Sequence, residues 1–323
     1  MELPAALRIA VDRMLDGVKL ADLQRDAARL SERYRAETRD GRLHMDDAAA
    51  VRAYLATRLP ATYAAVRASL SALTGARPDF APATQLDIGA GPGTAVWAAE
   101  DAFSSLTSVT LIETSAAARD IGRTLGAGSA IAATWRDGDI ARGLPDLAPA
   151  DLVTMAYVLD EVSPEVAHRI VAALWALTGD TLLIVEPGTP AGWQRILAAR
   201  AALIAAGAHI LAPCPHAAPC PLAAPDWCHF ARRVARSRIH RLAKGAEVPW
   251  EDEKYLFLAV SRFPAAAHPA RVLAPPRDGK NRVTLKLCRA DGTAAEVLVT
   301  KRDGEAYKAT RRAAWGDALE IAG

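Results

Sequence analysis

Short apolar runs alternate with helical segments through the middle of this chain, and this alternation limits the fold more than any other feature of the sequence. The apolar runs lie at residues 85–88, 108–112, 130–133, 151–156 and 181–185, with helical stretches such as 164–177 and 191–206 between them. Strands that alternate with helices build a parallel sheet with helices on both faces. The pattern therefore predicts an α/β fold with a doubly wound, Rossmann-like sheet.

The segments on either side of this core have a different character, which predicts four regions. These are an N-terminal helical region at 1–80, a core at 81–210, a Cys-rich loop with a basic helix at 211–245, and closing strands with a small C-terminal β module at 246–323. Within the last region, the runs 255–260, 282–288 and 295–300 have the pattern of strands, and an Asp-Gly turn joins the last two.

Composition excludes several classes of protein. Of the 323 residues, 51% are hydrophobic, which is enough for a buried core and excludes general disorder. Four cysteines are too few for a disulfide scaffold. The uncharged stretch 201–225 is interrupted by five prolines, so it is too short between breaks to span a bilayer. The N-terminus lacks the pattern of a signal peptide, and we expect a cytoplasmic protein without membrane contact.

A glycine-rich loop is the strongest local motif. It reads LDIGAGPGT over residues 86–94, and it ends a predicted strand and opens a predicted helix. A nicotinamide fingerprint requires its third glycine one residue later, where Thr94 stands. The loop instead resembles motif I of class I S-adenosylmethionine-dependent methyltransferases.

This resemblance implies a cofactor site around the loop. Asp87 is then the strand-end acid near the methionine moiety, and Gly89, Gly91 and Gly93 pass under the cofactor. Glu113 ends the second strand, where the family places an acid for the ribose hydroxyls.

The resemblance also extends to positions that follow the next two strands. Asp139 is the preferred acid near the adenine and Asp137 the weaker candidate, while Tyr157 follows the fourth strand and is expected to line the pocket. An ordinary βα turn with solvated carboxylates is the alternative for all of these positions.

No catalytic group is identified. Amino-group methyltransferases carry an Asn/Asp-Pro-Pro-aromatic motif after the fourth strand, but residues 156–161 read AYVLDE. None of the four cysteines is near that strand to serve as the nucleophile of a cytosine-carbon methyltransferase. Asp160 and Glu161 are candidate bases, although two acids at the start of a helix more often stabilise its N-terminal dipole.

The four cysteines form a candidate metal site. Cys214, Cys220 and Cys228 lie in a Pro-rich loop, and Cys288 ends a predicted strand. The apolar side chains of that strand occupy the alternate positions, so Cys288 is expected to face away from the core of the small module. Their gaps fit structural zinc poorly and suit a cluster held by four thiolates, so iron–sulfur, zinc and unrelated buried thiols all stay open. His216 and His229 are expected to be surface residues.

Basic residues follow Cys228 without an intervening acid up to Lys244. The cations are Arg232, Arg233, Arg236, Arg238, Arg241 and Lys244. From Cys228 to the C-terminus the chain carries 19 Lys and Arg against 11 Asp and Glu, so an acidic front precedes a basic final third. A helix with charges of one sign suits phosphate groups, which predicts contact with the backbone of a nucleic acid.

Over nearly its whole length, the chain resembles the ribosome-associated methyltransferase-like proteins of the mitochondrial small ribosomal subunit and their bacterial relatives. The matching stretches are LP at 3–4, LSERY at 30–34, the glycine loop, CPH at 214–216, CP at 220–221, EDEKY at 251–255, VSR at 260–262 and WGD at 315–317. The CPH stretch at 214–216 and the EDEKY stretch at 251–255 are more specific than the glycine loop.

The resemblance implies a class I methyltransferase fold that acts on small-subunit rRNA or on the subunit itself. It also implies a 4Fe-4S cluster on Cys214, Cys220, Cys228 and Cys288, with zinc the less favoured metal. A non-catalytic rRNA-binding assembly factor that retains the fold is the alternative function. Since no transit peptide is visible, a bacterial cytoplasmic member is expected.

Overall fold

The computed structural model describes residues 1–36 and 43–320. The N-terminal region contains four helices: α1 Ala5–Leu15, α2 Leu20–Arg35, α3 Ala48–Thr57 and α4 Leu59–Ala76. The central region alternates strands and helices: β1 Thr84–Ile88, α5 Thr94–Glu100, β2 Ser108–Ile112, α6 Ala116–Leu125, β3 Ala132–Arg136, β4 Ala150–Ala156, α7 Pro164–Ala176, β5 Thr178–Pro187 and α8 Pro190–Ala205. The predicted strand–helix alternation is therefore confirmed.

The chain closes this sheet with antiparallel strands and then builds a second, smaller sheet. The closing elements are β6 His209–Ala212, β7 Phe230–Ala235, α9 Arg238–Lys244 and β8 Trp250–Ser261. The second sheet contains β9 Ala270–Val272, β10 Arg277–Gly279, β11 Arg282–Cys288, β12 Ala294–Thr300 and β13 Ala318–Leu319, with α10 Glu305–Thr310 packed against it.

The main sheet has the strand order β3-β2-β1-β4-β5-β8-β6, with β7 also paired to β8. Strands β1 to β5 pair in parallel, and β8 runs antiparallel to β5. This order reverses direction between β1 and β4, where ligands of doubly wound sheets bind at the carboxyl ends of the strands. The class I methyltransferase fold predicted from the sequence is thus confirmed.

Strand β8 joins the parts of the sheet. Its C-terminal half pairs with β5 and β6, and its N-terminal half pairs with β7. Tyr255, Phe257 and Ala259 face one hydrophobic core, and the alternating residues of the strand face another. Residues 255–260 therefore belong to the main sheet, and the strands of the C-terminal module follow them.

Helices cover both faces of the main sheet. Helix α4 packs on β5, β6, β7 and β8 on one face, and α7 and α8 pack against the other. None of the helices that the structure describes is long and apolar enough to span a lipid bilayer.

Candidate functional site

The glycine loop lies between β1 and α5, at the carboxyl edge of the sheet. Gly89, Gly91 and Gly93 have φ angles of 67°, 53° and 85°, a region that side chains other than glycine rarely adopt. A Cβ atom on Gly89 would lie 2.6 Å from Val158 Cγ2, so the loop passes very close to the segment after β4. The loop conformation therefore depends on its glycines.

Glu113 holds this loop from the end of β2. Its two carboxylate oxygens accept hydrogen bonds from the backbone N–H groups of Gly91 at 2.8 Å and Ser115 at 2.7 Å. Burial raises the pKa of Glu113, and the two backbone donors partly offset that rise. The acid predicted to bind ribose is thus fixed beside the loop.

Asp87 is a buried acid with unused hydrogen-bonding capacity. Its Oδ1 accepts a 2.6 Å hydrogen bond from Thr154 Oγ1, whereas its Oδ2 is buried without a hydrogen-bond partner among the described residues. Burial raises the pKa of Asp87 to about 7. A buried acceptor that lacks a donor fits a ligand that brings one, such as the ammonium group of a cofactor's methionine moiety.

A cleft of about 930 Å³ opens above these groups. Asp87, Gly89, Gly91, Glu113, Asp139 and Tyr157 line it, and so do residues of the N-terminal helices that form its other wall. Asp139 accepts a hydrogen bond from Ala141 N at 2.9 Å and is half exposed, whereas Asp137 is turned to an ion pair with Arg119 at 2.7 Å outside the cleft. The preferred acid of the two is therefore the one at the cleft.

Sequence reasoning missed a buried network on the far wall of the cleft. Glu253 of β8 accepts hydrogen bonds from Arg58 Nη2 at 3.0 Å and from the Tyr157 hydroxyl at 2.9 Å. Tyr157 has a φ of 59°, which is strained for a residue with a side chain. Burial, with the adjacent Glu253 carboxylate, raises the pKa of Tyr157 well above its ordinary value, so its hydroxyl stays a donor.

Asp160 and Glu161 lie at the cleft and not in a helix. Helix α7 begins at Pro164, and Ser163 caps it by accepting a hydrogen bond from Val166 N. The interpretation of the two acids as dipole partners at the start of a helix is therefore wrong. Burial, reinforced by neighbouring acids of which Asp160 is the first, raises the pKa of Glu161 well above its usual range.

Replacing Asp87 by asparagine is expected to flatten the pH dependence of stability. The folded protein holds a proton on Asp87 up to about pH 7, whereas the unfolded chain releases it near pH 3.8, so the free energy of unfolding falls as pH rises between these values. Between pH 5 and pH 8 the wild type should lose roughly 2–3 kcal/mol more than Asp87→Asn. Urea unfolding of the ligand-free proteins at both pH values measures this, and equal losses would contradict it.

All four cysteines line a second, small cavity of about 30 Å³. This cavity lies between α8, β8, the loop at 213–229 and the C-terminal module, and its wall is almost entirely apolar. Cys214, Cys220 and Cys228 come from the loop, and Cys288 comes from β11, where Val283, Leu285 and Leu287 point into the module's own core. Burial raises the pKa of Cys288 to about 12, and the neighbouring thiols Cys214 and Cys220 add to that rise.

The two histidines of this region are not surface residues. His216 is buried, with its Nε2 at 3.3 Å from Cys288 Sγ and its Nδ1 donating to the Ala218 carbonyl at 3.1 Å. His229 is half-buried and stacks on Trp227 with ring centroids 4.9 Å apart. Within residues 1–36 and 43–320, no group of three or more His, Cys, Asp or Glu side chains is arranged to hold a metal ion. The thiols therefore share a cavity without forming a metal-binding arrangement.

Comparison with known proteins decides the family. A family profile described as "Mitochondrial small ribosomal subunit Rsm22" matches residues 48–320, which include the glycine loop, Glu113 and all four cysteines. The chain belongs to the Rsm22 family. Over 289 residues it is 30% identical to the Homo sapiens protein "Ribosome assembly protein METTL17, mitochondrial", and this alignment covers 83% of the chain and 62% of that relative. The chain thus spans less than two thirds of the relative's length.

Solved structures resemble this Rsm22-family chain only weakly. The magnesium protoporphyrin IX methyltransferase of Synechocystis PCC 6803 with bound SAM has a TM-score of 0.42 and 14% identity, over 80% of this chain and 98% of the other. The ribosomal protein L11 methylase of Lactobacillus delbrueckii subsp. bulgaricus has a TM-score of 0.38 and 12% identity, over 61% and 78% of the two chains. The fold assignment relies on the strand order described above.

The basic segment inside the Rsm22 match differs from its prediction. Residues 230–235 form the strand β7, and only residues 238–244 are helical, so the prediction of one basic helix is wrong. Strand β8 places its acids against these cations. The ion pairs are Arg233–Asp252 at 2.9 Å, Arg236–Glu251 at 3.0 Å and Lys244–Glu251 at 3.2 Å. Of the other three cations, Arg238 is exposed and Arg232 and Arg241 are half-buried.

Cations of the C-terminal module remain open to solvent in this Rsm22-family chain. Lys280, Arg282, Lys301 and Arg302 are exposed, and none of them has an ion pair in the described part of the chain. They lie at one end of the small sheet, since Arg282 pairs with Thr300 and Lys301 N donates to the Asn281 carbonyl at 2.9 Å. We call these four residues the basic edge.

Proposed function

We propose that this chain is an S-adenosylmethionine-binding protein that associates with the small ribosomal subunit and acts in its assembly. The observation that carries the proposal is the cleft itself: a glycine loop, a fixed Glu113 and an Asp87 Oδ2 without a donor among the described residues meet at the carboxyl edge of the sheet. The family match and the name of the human relative support the ribosomal part. The cytoplasmic location stays a prediction.

The residues of the cleft fit S-adenosylmethionine in shape and in charge. Gly89 and Gly91 would let the backbone approach the cofactor, Glu113 would accept from its ribose, and Asp139 would lie at its adenine end. When bound, the cofactor supplies a methyl group on a positively charged sulfur. Acids outnumber bases along the cleft, and they favour a cationic ligand.

Methyl transfer to rRNA is the second candidate function. Glu161 and Asp160 line the cleft just after β4, where a base could take a proton from an acceptor group. Mass-spectrometric mapping of small-subunit rRNA from cells with and without the protein decides between the candidates. A modification that disappears with the protein supports catalysis, and an unchanged map supports assembly without chemistry.

Ribosome association has its own test. Purified protein mixed with small subunits should sediment with them through a sucrose gradient at low salt, and it should stay at the top of the gradient with large subunits alone. Equal sedimentation with both subunits, or with neither, would overturn the ribosomal part of the proposal.

The basic edge is the surface that we propose for rRNA contact. Backbone phosphates attract unpaired cations, whereas Arg233, Arg236 and Lys244 already have acidic partners on β8. The predicted contacts at Arg232, Arg233, Arg236, Arg238, Arg241 and Lys244 are therefore secondary in this proposal, and exposed Arg238 is the first of them.

The double variant Arg282→Ala/Arg302→Ala should bind structured rRNA more weakly and with less dependence on salt. Each lost phosphate contact lowers the slope of log affinity against log salt by about 1, so the slope should fall by about 2. The matched control is Arg233→Ala/Arg236→Ala, which removes two cations that are paired. Filter binding at several salt concentrations measures both slopes. A larger effect in the control would indicate that RNA contacts the region of β7 and not the basic edge.

We also propose that Cys214, Cys220, Cys228 and Cys288 hold a 4Fe-4S cluster, with zinc as the alternative. Four thiols and no carboxylate line the cavity, which is the donor set that iron–sulfur clusters and structural zinc share. The loop between residues 213 and 229 contains no helix or strand, so its thiols can adjust to a bound group. Such a group would tie the C-terminal module to the main sheet.

A further inference from the structure

Two arginines are buried beside the four thiols. Arg200 of α8 and Arg271 of β9 both line the cysteine cavity, and their exposed fractions are only 5% and 6%. Neither guanidinium lies within ion-pair distance of a carboxylate among the residues that the structure describes. A buried charge without an opposite charge is strongly unfavourable, so this arrangement calls for an anionic partner.

The hydrogen bonds of these two arginines do not supply an anionic partner. Arg200 Nη2 donates to the carbonyls of His216 at 2.7 Å and Ala218 at 2.8 Å, and its Nε is buried without any partner. Arg271 donates to the carbonyls of Pro213 at 2.9 Å and Gly316 at 2.9 Å. These bonds fix the loop that carries the cysteines, but carbonyl oxygens leave the net positive charge in place.

Asp317, an acid that acts on Arg271, does not neutralise it either. Asp317 acts on Arg271 only from beyond ion-pair distance, and it accepts a hydrogen bond from Ala314 N at 2.8 Å. The groups that do face the guanidiniums are thiols, since Arg200 and Arg271 line the same cavity as the four cysteines. The positive charges are therefore directed at the cysteine cavity.

We propose that Arg200 and Arg271 are the counter-cations of a metal group held by the four cysteines. This inference depends on the proposed metal site. Four thiolates carry four negative charges, and either a zinc ion or an oxidised four-iron core returns two positive ones. The remaining two negative charges are the number that two guanidiniums neutralise in an apolar cavity.

The experiment separates charge from shape at each arginine. Arg200→Gln and Arg271→Gln remove the charge and keep an amide donor for the loop carbonyls, while Arg200→Lys and Arg271→Lys keep the charge. Arg277→Gln, on the same module but in an exposed pair with Glu296, is the control. Anaerobically purified proteins are challenged with a chelator, and the metal that remains is measured over time.

The Gln variants should lose metal about 10- to 100-fold faster than the wild type, and the Lys variants and the control should stay close to it. If iron is bound, the reduction potential should move to more negative values in the Gln variants and stay unchanged in the Lys variants. Equal loss from Gln and Lys variants, or retention by all of them, would overturn the counter-cation role alone. A wild type without iron or zinc would overturn the proposed metal site and this role together.

Discussion

Cys288→Ser is expected to remove the proposed metal group and to loosen the C-terminal module, while leaving the proposed binding of S-adenosylmethionine in the cleft unchanged. Cys288 is the one cavity thiol that comes from the module, and the other three come from the loop at 213–229. Because the binding energy of such a site is also folding energy, losing one ligand should free residues 270–320 before it affects the main sheet. Cleavage of the module in limited proteolysis should become about ten-fold faster or more, as expected for the loss of a few kcal/mol of local stability.

Iron, sulfide and zinc analysis of anaerobically purified protein accompanies the proteolysis. Thr284→Ser is the matched control, since Thr284 lies on the same strand and does not line the cavity. Stoichiometric zinc in a colourless wild type would favour zinc over the cluster, with the metal still tying the module to the main sheet. A module that is equally resistant in wild type and Cys288→Ser would exclude this tie, because Arg271 and the Lys286–Asp226 pair would then suffice to hold the module.

Gly91→Val should abolish binding of S-adenosylmethionine, with a loss of affinity of about 100-fold or more. A Cβ at this position would point towards Met45 Cε at 3.1 Å, on the wall of the cleft, and the φ of 53° strains any branched side chain. The strain costs roughly 1–3 kcal/mol, and it would also disturb the Gly91 N–H that binds Glu113. Isothermal titration calorimetry with S-adenosylmethionine and NAD measures the effect.

The variant Gly207→Val is the control that separates backbone strain from steric exclusion of the cofactor. Gly207 has a φ of 83° and open space where its Cβ would stand, and it is not part of the cleft. The Gly207→Val variant should therefore lose stability and keep its affinity for S-adenosylmethionine. Full affinity in Gly91→Val would contradict the placement of the cofactor, and binding of NAD by the wild type would contradict the choice of cofactor.

The cleft could be predicted because its first residues follow from local rules. Asp87, the glycine loop and Glu113 end neighbouring parallel strands, and such ends meet at one edge of the sheet whatever the rest of the chain does. Arg58 and Glu253 could not be found in this way. They are 195 residues apart, and only the antiparallel entry of β8 places one beside the other.

The prediction of a basic helix was wrong for a related reason. The order of charges along the sequence does not show which acids lie opposite them, because a strand places its side chains against those of the strand beside it. Arg233 and Asp252 are 19 residues apart and directly opposite in register. Two features of the sequence indicate a strand paired with an acidic strand. Phe230 and Val234 lie on one side of an alternating pattern, and the acidic EDE stretch follows the basic run at a distance that suits a hairpin.

The pairing of Arg58 with Glu253 can form only late during synthesis of the chain on the ribosome. A translating ribosome adds about 5–20 residues per second, so Arg58 leaves the exit tunnel roughly 10–40 seconds before the partner that is 195 residues downstream. During that interval α4 has no β7 or β8 to cover its apolar face. The face of α4 that packs on β7 and β8 therefore stays without this cover until nearly four fifths of the protein has been made.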